Sequence, residues 1–342
     1  MMRPLDRYSR QTIFQEIGEE GQLKLLQSKV AVIGMGALGT VIANNLCRAG
    51  VGYLRLVDRD YVELSNLQRQ TLYNEQDAAD QMPKAVAAVK HLEKINSEIQ
   101  IEAVLKDVNS GNVESILDGM DLVVDGTDNL ETRLLINDAC LKNNIPWVHG
   151  AALAGSGLTM NIIPGQTPCL RCLHPELPAP GSHPTCSTAG VLGMITGIIG
   201  CLESTEAIKI LIGSPRINRK LCVVNIWYNQ FTYLDIEQNP RCLACVEHKF
   251  EYLNSVKGSY TVSLCGRDSI QVIPAKAGDI DFQTMAEKLK NLGTVKYNPF
   301  TLNFSASNSN LEITLFQDGR AIIKNVKDDQ TAKSAYAEYI GL

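Results

Sequence analysis

Val30-Ala-Val-Ile33 runs straight into Gly34-Met-Gly36-Ala-Leu-Gly39, and Thr40 to Ala49 then repeats apolar side chains at helical spacing up to Gly50. A second apolar run, Tyr53 to Val57, ends in Asp58. Strand, glycine turn, helix, strand and acid follow one another in the order that a nucleotide-binding βαβ unit needs. Gly34 suits the tight turn, Gly36 lets backbone N–H groups approach a phosphate, and Gly39 lets the helix lie close on the strand. The helix N-terminus presents N–H groups and a partial positive charge to an anion. Asp58, at the tip of the second strand, is placed to accept hydrogen bonds from ribose hydroxyls. These features point to a nucleotide and leave its identity open.

Working outward, the alternation continues. Pro83 suits the first position of a helix carrying Ala85, Val86, Val89, Leu92 and Ile95 at helical spacing. Ile99 to Leu105 reads as a strand, Val113 to Leu117 as a short helix and Leu122 to Asp125 as a buried strand. Leu130 to Lys142 is the next helix and Pro146 to His149 a fifth strand. The fold class is therefore α/β: a doubly wound, mainly parallel sheet covered on both faces. Gly157 to Ile163, Leu221 to Trp227 and Thr232 to Ile236 predict an antiparallel extension. Between them lie a proline-rich loop, His174 to Pro184, and a long apolar helix from Thr188 to Ile212. Gly190, Gly193, Gly197 and Gly200 in that helix predict close packing on neighbouring backbone. Glu247 to Ser259 reads as a linker. From Ser259 to Leu342 the pattern is that of a separate small α+β unit: strands at Tyr260 to Leu264 and Ile270 to Ile273, a helix from Phe282 to Leu289, two or three further strands and a closing helix from Thr331 to Ile340.

A formal charge of −5 over 342 residues gives no nucleic-acid footprint. The N-terminal stretch through Gln11 has no apolar run of the signal-peptide kind, and Ala189 to Leu202 is too short to span a membrane. The expectation is a soluble, cytoplasmic protein.

Four charged residues fall where such a sheet places them near the C-terminal edge of its strands: Asp58, Arg69, Lys84 and Asp128. A nicotinamide dinucleotide has no use for an Arg, a Lys and a further Asp around its phosphates. A nucleoside triphosphate does, because its charge calls for cations and its Mg2+ for an oxygen ligand. Asp128 suits the metal, and Arg69 and Lys84 suit the phosphates. Taken jointly they select ATP.

Of ten cysteines, four form the pairs Cys169-Leu-Arg-Cys172 and Cys242-Leu-Ala-Cys245, with 69 residues between them. The spacing is that of a four-cysteine structural Zn2+ site, which leaves no open position for catalysis. Disulfides and a redox pair are the alternatives; the first does not suit a cytosolic chain, and Cys169 is not expected to open a helix as a redox motif would. Cys47, Cys140, Cys201 and Cys222 read as small core residues, and Cys265 as structural. Cys186, in Pro184-Thr-Cys186-Ser-Thr, ends the proline-rich loop just ahead of a helix. It is either a thiol activated by the helix N-terminus or an unreactive loop residue.

Taken in order, Arg7-Tyr-Ser-Arg10-Gln, Gly34-x-Gly36-x-x-Gly39, Asp58, Ser65-Asn66-Leu-Gln-Arg69-Gln70, Pro83-Lys84, Thr127-Asp128-Asn129, the two cysteine pairs and Thr185-Cys186 resemble the ThiF/MoeB/HesA family, bacterial relatives of the ubiquitin-activating enzymes. The resemblance runs from about Leu5 to His248. It implies adenylylation of the C-terminal glycine carboxylate of a ubiquitin-like sulfur-carrier protein ending in Gly-Gly, with release of pyrophosphate. It further implies that Asp58 binds ribose, that Asn66, Arg69 and Lys84 bind phosphates, and that Asp128 binds Mg2+. Arg10 is expected to reach the ATP site of the other subunit of a homodimer. Cys186 matches a position that in some members forms a thioester or acyl-disulfide with the carrier. Residues 1–250 would then be the adenylyltransferase domain. The small unit, 259–342, lies outside the minimal enzyme and is short for a sulfurtransferase, so a separate sulfur donor is expected. A non-catalytic partner subunit, or a member acting on a peptide, tRNA or small molecule, remains the alternative.

Overall fold

A computed structural model describes residues 5–175, 189–254, 260–263, 269–274, 280–307, 309–326 and 328–340. Cys186, Cys265 and the proline-rich loop beyond Pro175 lie outside the described residues. Two compact units emerge, the larger from residues 5–175 and 191–254 and the smaller from residues 189–190 and from 260 onward.

In the larger unit the elements are α1 (Ser9–Thr12), α2 (Gly18–Gln27), β1 (Lys29–Ile33), α3 (Ala37–Ala49), β2 (Tyr53–Val57), α4 (Glu75–Ala79), α5 (Lys84–Ile95), β3 (Gln100–Val104), α6 (Val113–Leu117), β4 (Leu122–Asp125), α7 (Leu130–Lys142), β5 (Trp147–Leu153), β6 (Ser156–Ile162), α8 (Leu170–Leu173), α9 (Gly193–Ile212), β7 (Leu221–Asn225) and β8 (Gln230–Leu234). One sheet holds all eight strands in the order β3-β2-β1-β4-β5-β6-β7-β8. Its first four pairings are parallel and the remaining three antiparallel. Strand β1 shows why both faces are covered. Val30 and Val32 enter one apolar core with Leu38, Ile42 and Ile199, while Ala31 and Ile33 enter the other with Ile136 and Trp147. The order reverses between β1 and β4, which opens the crevice where doubly wound sheets bind ligands.

Helix α9 begins five residues later than its apolar run suggests. Gly190 takes φ +73°, and Leu192 donates its N–H to the Ala154 carbonyl, so the chain is tied to the sheet before it can coil. Close packing holds for Gly193, where a Cβ would meet the Gln68 carbonyl at 2.8 Å, and for Gly200 against Val41 at 2.9 Å. Gly197 faces open space and Gly190 lies outside the helix, so neither serves that purpose. Cys201 is exposed on α9, contrary to a core role, whereas Cys47, Cys140 and Cys222 are buried. Pro83 caps α5 from the preceding position and is not its first residue. The expected linker is packed at its start: Leu253 is buried, and the Tyr252 N–H donates to Asp138. Among the described residues no helix is long and apolar enough to cross a membrane.

The smaller unit is an antiparallel sheet with β9 (Tyr260–Ser263), β10 (Ser269–Ile273), α10 (Phe282–Leu289), β11 (Gly293–Tyr297), β12 (Thr301–Ala306), β13 (Glu312–Phe316), β14 (Ala321–Lys324) and α11 (Asp329–Tyr339). Its strand order is β11-β12-β13-β14-β10-β9. Four strands follow α10, against an expected two or three. Leu302, Phe304, Leu315, Ile323 and Tyr336 share its own core.

Candidate active site

Gly34 turns the chain at the end of β1 with φ +90°, and its N–H donates to the Val57 carbonyl at 2.7 Å. A Cβ on Gly39 would lie 1.8 Å from the Gly34 carbonyl, so only glycine lets α3 start this close to the turn. Asp58 closes the loop from the other strand. One carboxylate oxygen accepts the Met35 N–H and the other the Asp60 N–H, both at 2.7 Å. Burial pushes its carboxyl up, while Lys84 and the two N–H donors favour the charged form. Each oxygen keeps a second lone pair, which a ribose hydroxyl can use.

Lys84 is the first residue of α5 and is brought to this corner. Its Nζ lies 2.8 Å from Asp60 Oδ2, with only 8% of the side chain exposed. The Tyr73 hydroxyl lies 2.8 Å from the Met35 carbonyl and 3.1 Å from that of Lys84, which fixes the glycine loop to the start of α5. The segment Glu63 to Gln70 runs alongside. Asn66 is buried, and its Oδ1 accepts the Glu63 N–H. Arg69 is half-buried, with Nη1 donating to the Ser65 carbonyl. Gln70 points its Nε2 at Gly36, 3.9 Å from where a Cβ would stand. Gly34, Gly36, Gly39, Asp58, Lys84 and the Asn66–Gln70 segment therefore share one corner.

Asp128 is exposed in the loop after β4, and the reason that loop holds its shape was not legible in the motif. Buried Asp125 accepts from Thr127 N–H (2.9 Å), Thr127 Oγ1 (2.7 Å) and Arg133 Nε (3.0 Å), and pairs with His149 Nδ1 at 2.9 Å. Arg133 also donates to the carbonyls of Thr127 and Gly150. Burial opposes the Asp125 charge, but Arg133 and His149 outweigh it and hold its carboxyl below the ordinary range. Asn129 caps α7 by accepting the Thr132 N–H. Beside this network the fully buried Glu203 carboxyl fills the space over Gly150. Burial, reinforced by Asp125, pushes its carboxyl well above the ordinary range. The signal for Arg133 was its place one helical turn after Asn129; Asp125 and Glu203 offered only their charge.

Arg10 is not brought to this corner within its own chain. Tyr8, two residues before it, is buried; its ring fills the space over Gly50 and its hydroxyl accepts from Asn96 Nδ2 at 2.9 Å. Arg7 donates to the Ile95 carbonyl. Gly50 and Ile95 mark the far ends of α3 and α5, and α3 has 13 residues, so Arg10 lies about 20 Å from its own glycine loop.

The four cysteine sulfurs gather on the opposite face. Cys169 Sγ lies 3.9 Å from Cys172 and 3.6 Å from Cys242, and Cys172 lies 3.5 Å from Cys245. All four fall within 4.8 Å of one another. A zinc ion with Zn–S bonds of about 2.3 Å needs sulfurs about 3.8 Å apart at the corners of a tetrahedron, so the set fits. The sulfurs are too far apart for disulfides. Contrary to expectation Cys169 does open a helix, as the cap of one-turn α8. The redox reading fails on geometry instead, because the two pairs face each other.

Comparison with known proteins follows the same lines. The sequence profile of the ThiF family matches residues 8–244. The chain is 38% identical to the sulfur carrier protein ThiS adenylyltransferase of Bacillus subtilis over 338 residues, covering 98% of this chain and 99% of that one. It is 41% identical to the SAMP-activating enzyme E1 of Haloferax volcanii, over 71% of this chain and 89% of that one. Among solved structures it resembles E. coli MccB bound to ATP, with TM-score 0.62 and 22% identity, over 71% of this chain and 75% of that chain.

Proposed function

This chain belongs to the ThiF family, and on that premise we propose that it adenylylates the C-terminal glycine carboxylate of a ubiquitin-like sulfur carrier. What carries the proposal is the end-to-end match to a ThiS adenylyltransferase in a chain whose glycine loop, Asp58 and Lys84 meet at the sheet's reversal point. The carrier is of the ThiS type, as in thiamin synthesis, because that relative aligns through the small C-terminal unit, whereas the SAMP-activating relative aligns over 71% of the chain. A molybdopterin-type carrier is the neighbouring possibility for the same site.

The chemistry asks little of acid–base groups, since a carboxylate is already ionised at neutral pH. Its oxygen attacks the α-phosphorus of ATP, the bond to the bridging oxygen breaks, and pyrophosphate leaves. Catalysis is positioning and charge neutralisation. The glycine loop and the α3 N-terminus hold phosphate oxygens, and Asp58 holds the ribose. Lys84 exchanges its contact with Asp60 for the phosphates, with Asn66 and Arg69 beside it. Asp128 would hold Mg2+, which when bound would supply further neutralisation of the phosphates. Arg10 enters from the partner of a homodimer, which its distance from its own loop favours. Zinc on Cys169, Cys172, Cys242 and Cys245 is structural. The Cys186 thiolate attacks the carbonyl of the acyl-adenylate and AMP leaves, which gives a thioester; a Cys186 persulfide charged by a separate sulfur-donor protein gives an acyl-disulfide by the same displacement of AMP, and the enzyme works in the cytoplasm.

ATP–pyrophosphate exchange against a panel of carriers tests this. Exchange should require a carrier ending in Gly-Gly and vanish when that dipeptide is removed. Exchange with no carrier in the panel, while free amino acids or peptides support it, would overturn the proposal.

A further inference from the structure

Arg59 is a cation for which the mechanism above has no use. It follows Asp58 directly at the tip of β2, and its Nη1 lies 2.6 Å from Asp107 Oδ1, just beyond the end of neighbouring β3. Asp107 is itself held: 8% of its side chain is exposed, and its carbonyl accepts from Nδ2 of Asn109 and of Asn112. About a fifth of the Arg59 side chain, 21%, remains exposed. Burial alone would weaken its charge, but Asp107, with Asp128 and Asp60 behind it, holds the charge up. Asp107 follows β3 and Asp128 follows β4, with β2 and β1 between them. At about 4.8 Å per strand that span is about 14 Å. Arg59 stands at the tip of β2, inside that span, with its guanidinium carried to the Asp107 end of it.

We propose that Arg59, its plane set by Asp107, is the platform on which the purine of ATP stacks. The inference rests on the adenylyltransferase reading and adds the residue that selects the base. Phosphates bound at the glycine loop and Lys84 sit over β1, and a ribose on Asp58 sits over β2. The nucleoside is then directed away from the loop, and the next side chain in that direction is Arg59. A guanidinium is planar and weakly hydrated, and it stacks on aromatic faces. An Asp on one edge fixes its tilt without covering its face.

The test is pyrophosphate exchange by the full-length protein with its carrier, with KM measured separately for ATP and for pyrophosphate. Arg59→Ala should raise KM for ATP about ten-fold and weaken the preference for ATP over CTP, with KM for pyrophosphate unchanged within about two-fold. Arg59→Lys should not rescue, because an ammonium keeps the charge and loses the plane. Asp107→Asn, which leaves the guanidinium and loosens its tilt, should move KM for ATP the same way by a smaller factor, and it covers the case in which Arg59→Ala folds poorly. A parallel rise in KM for pyrophosphate would place Arg59 on the phosphates, and rescue by lysine would reduce it to a charge; either overturns the platform. Unchanged KM values in both variants would overturn it too. A wild-type enzyme without exchange activity would instead sink the adenylyltransferase reading, and this proposal with it.

Discussion

Removing one thiolate from the four-cysteine cluster is the sharpest test of what holds the larger unit together. In Cys242→Ser the three remaining sulfurs keep their positions, but the tetrahedron loses a corner that is 98% buried. A four-coordinate zinc clips the segment around Cys172 to that around Cys242, closing a loop of about 70 residues; by the chain-entropy relation for cross-links that closure is worth about 4 kcal/mol. For a unit of about 240 residues, a loss of that size lowers Tm by about 10 °C. Elemental analysis should find one zinc per wild-type chain and substoichiometric zinc in the variant. Scanning calorimetry of the larger unit's transition should show the wild type falling to the variant's Tm on treatment with a strong chelator, while the variant barely responds. Freshly purified wild type without zinc, or a wild-type Tm indifferent to chelator, would refute the metal reading. The close sulfur contacts would then be thiol packing alone.

Three further outcomes are expected. Mixing Arg10→Ala chains with Asp128→Ala chains should restore activity to one site of each mixed dimer; if no mixture exceeds either parent, Arg10 does not act across subunits. Cys186→Ala should keep most pyrophosphate exchange yet lose any carrier adduct seen by intact mass under conditions that preserve thioesters and disulfides. A wild type that transfers activated carrier without ever showing an adduct removes the nucleophile role. Asp138, pushed up to about 6 chiefly by burial, contributes stability that is complete below its unfolded value of about 3.9 and lost as pH rises through about 6. Asp138→Asn should therefore gain on the wild type between about pH 4 and 6, by something on the order of 2–3 kcal/mol, and hold that gain at higher pH. A stability difference that is flat across this window contradicts it.

The β1–α3–β2 unit was legible because its signals are local: an unbroken apolar run from Val30 to Ile33, buried on both faces, a turn only glycine can make, and an apolar helix stopped by Gly50. The boundaries of α7 were readable for the same reason, from Asn129 at its cap to the polar residues after Lys142. What escaped reading depends on partners distant in the chain. Gly190 ends one segment because Leu192 bonds to Ala154, some forty residues earlier. Asp125, Arg133, His149 and Glu203 are charged or polar letters until tertiary structure buries them together, and Arg59 gains its meaning only once β3 lies beside β2. Strand β11 was hard to count because its side chains are mostly exposed and lack an apolar face. Arg10 shows the converse: its role was suggested by resemblance, and the structure adds the distance from its own loop.

Intact mass of the carrier after incubation with enzyme, ATP and Mg2+ tests the central claim most directly. The account predicts a carrier heavier by one AMP group, with that group on the C-terminal glycine, and no addition to a carrier whose terminal carboxylate is blocked as an amide. AMP on the blocked carrier, or a carrier left unmodified while ATP is consumed, would contradict it.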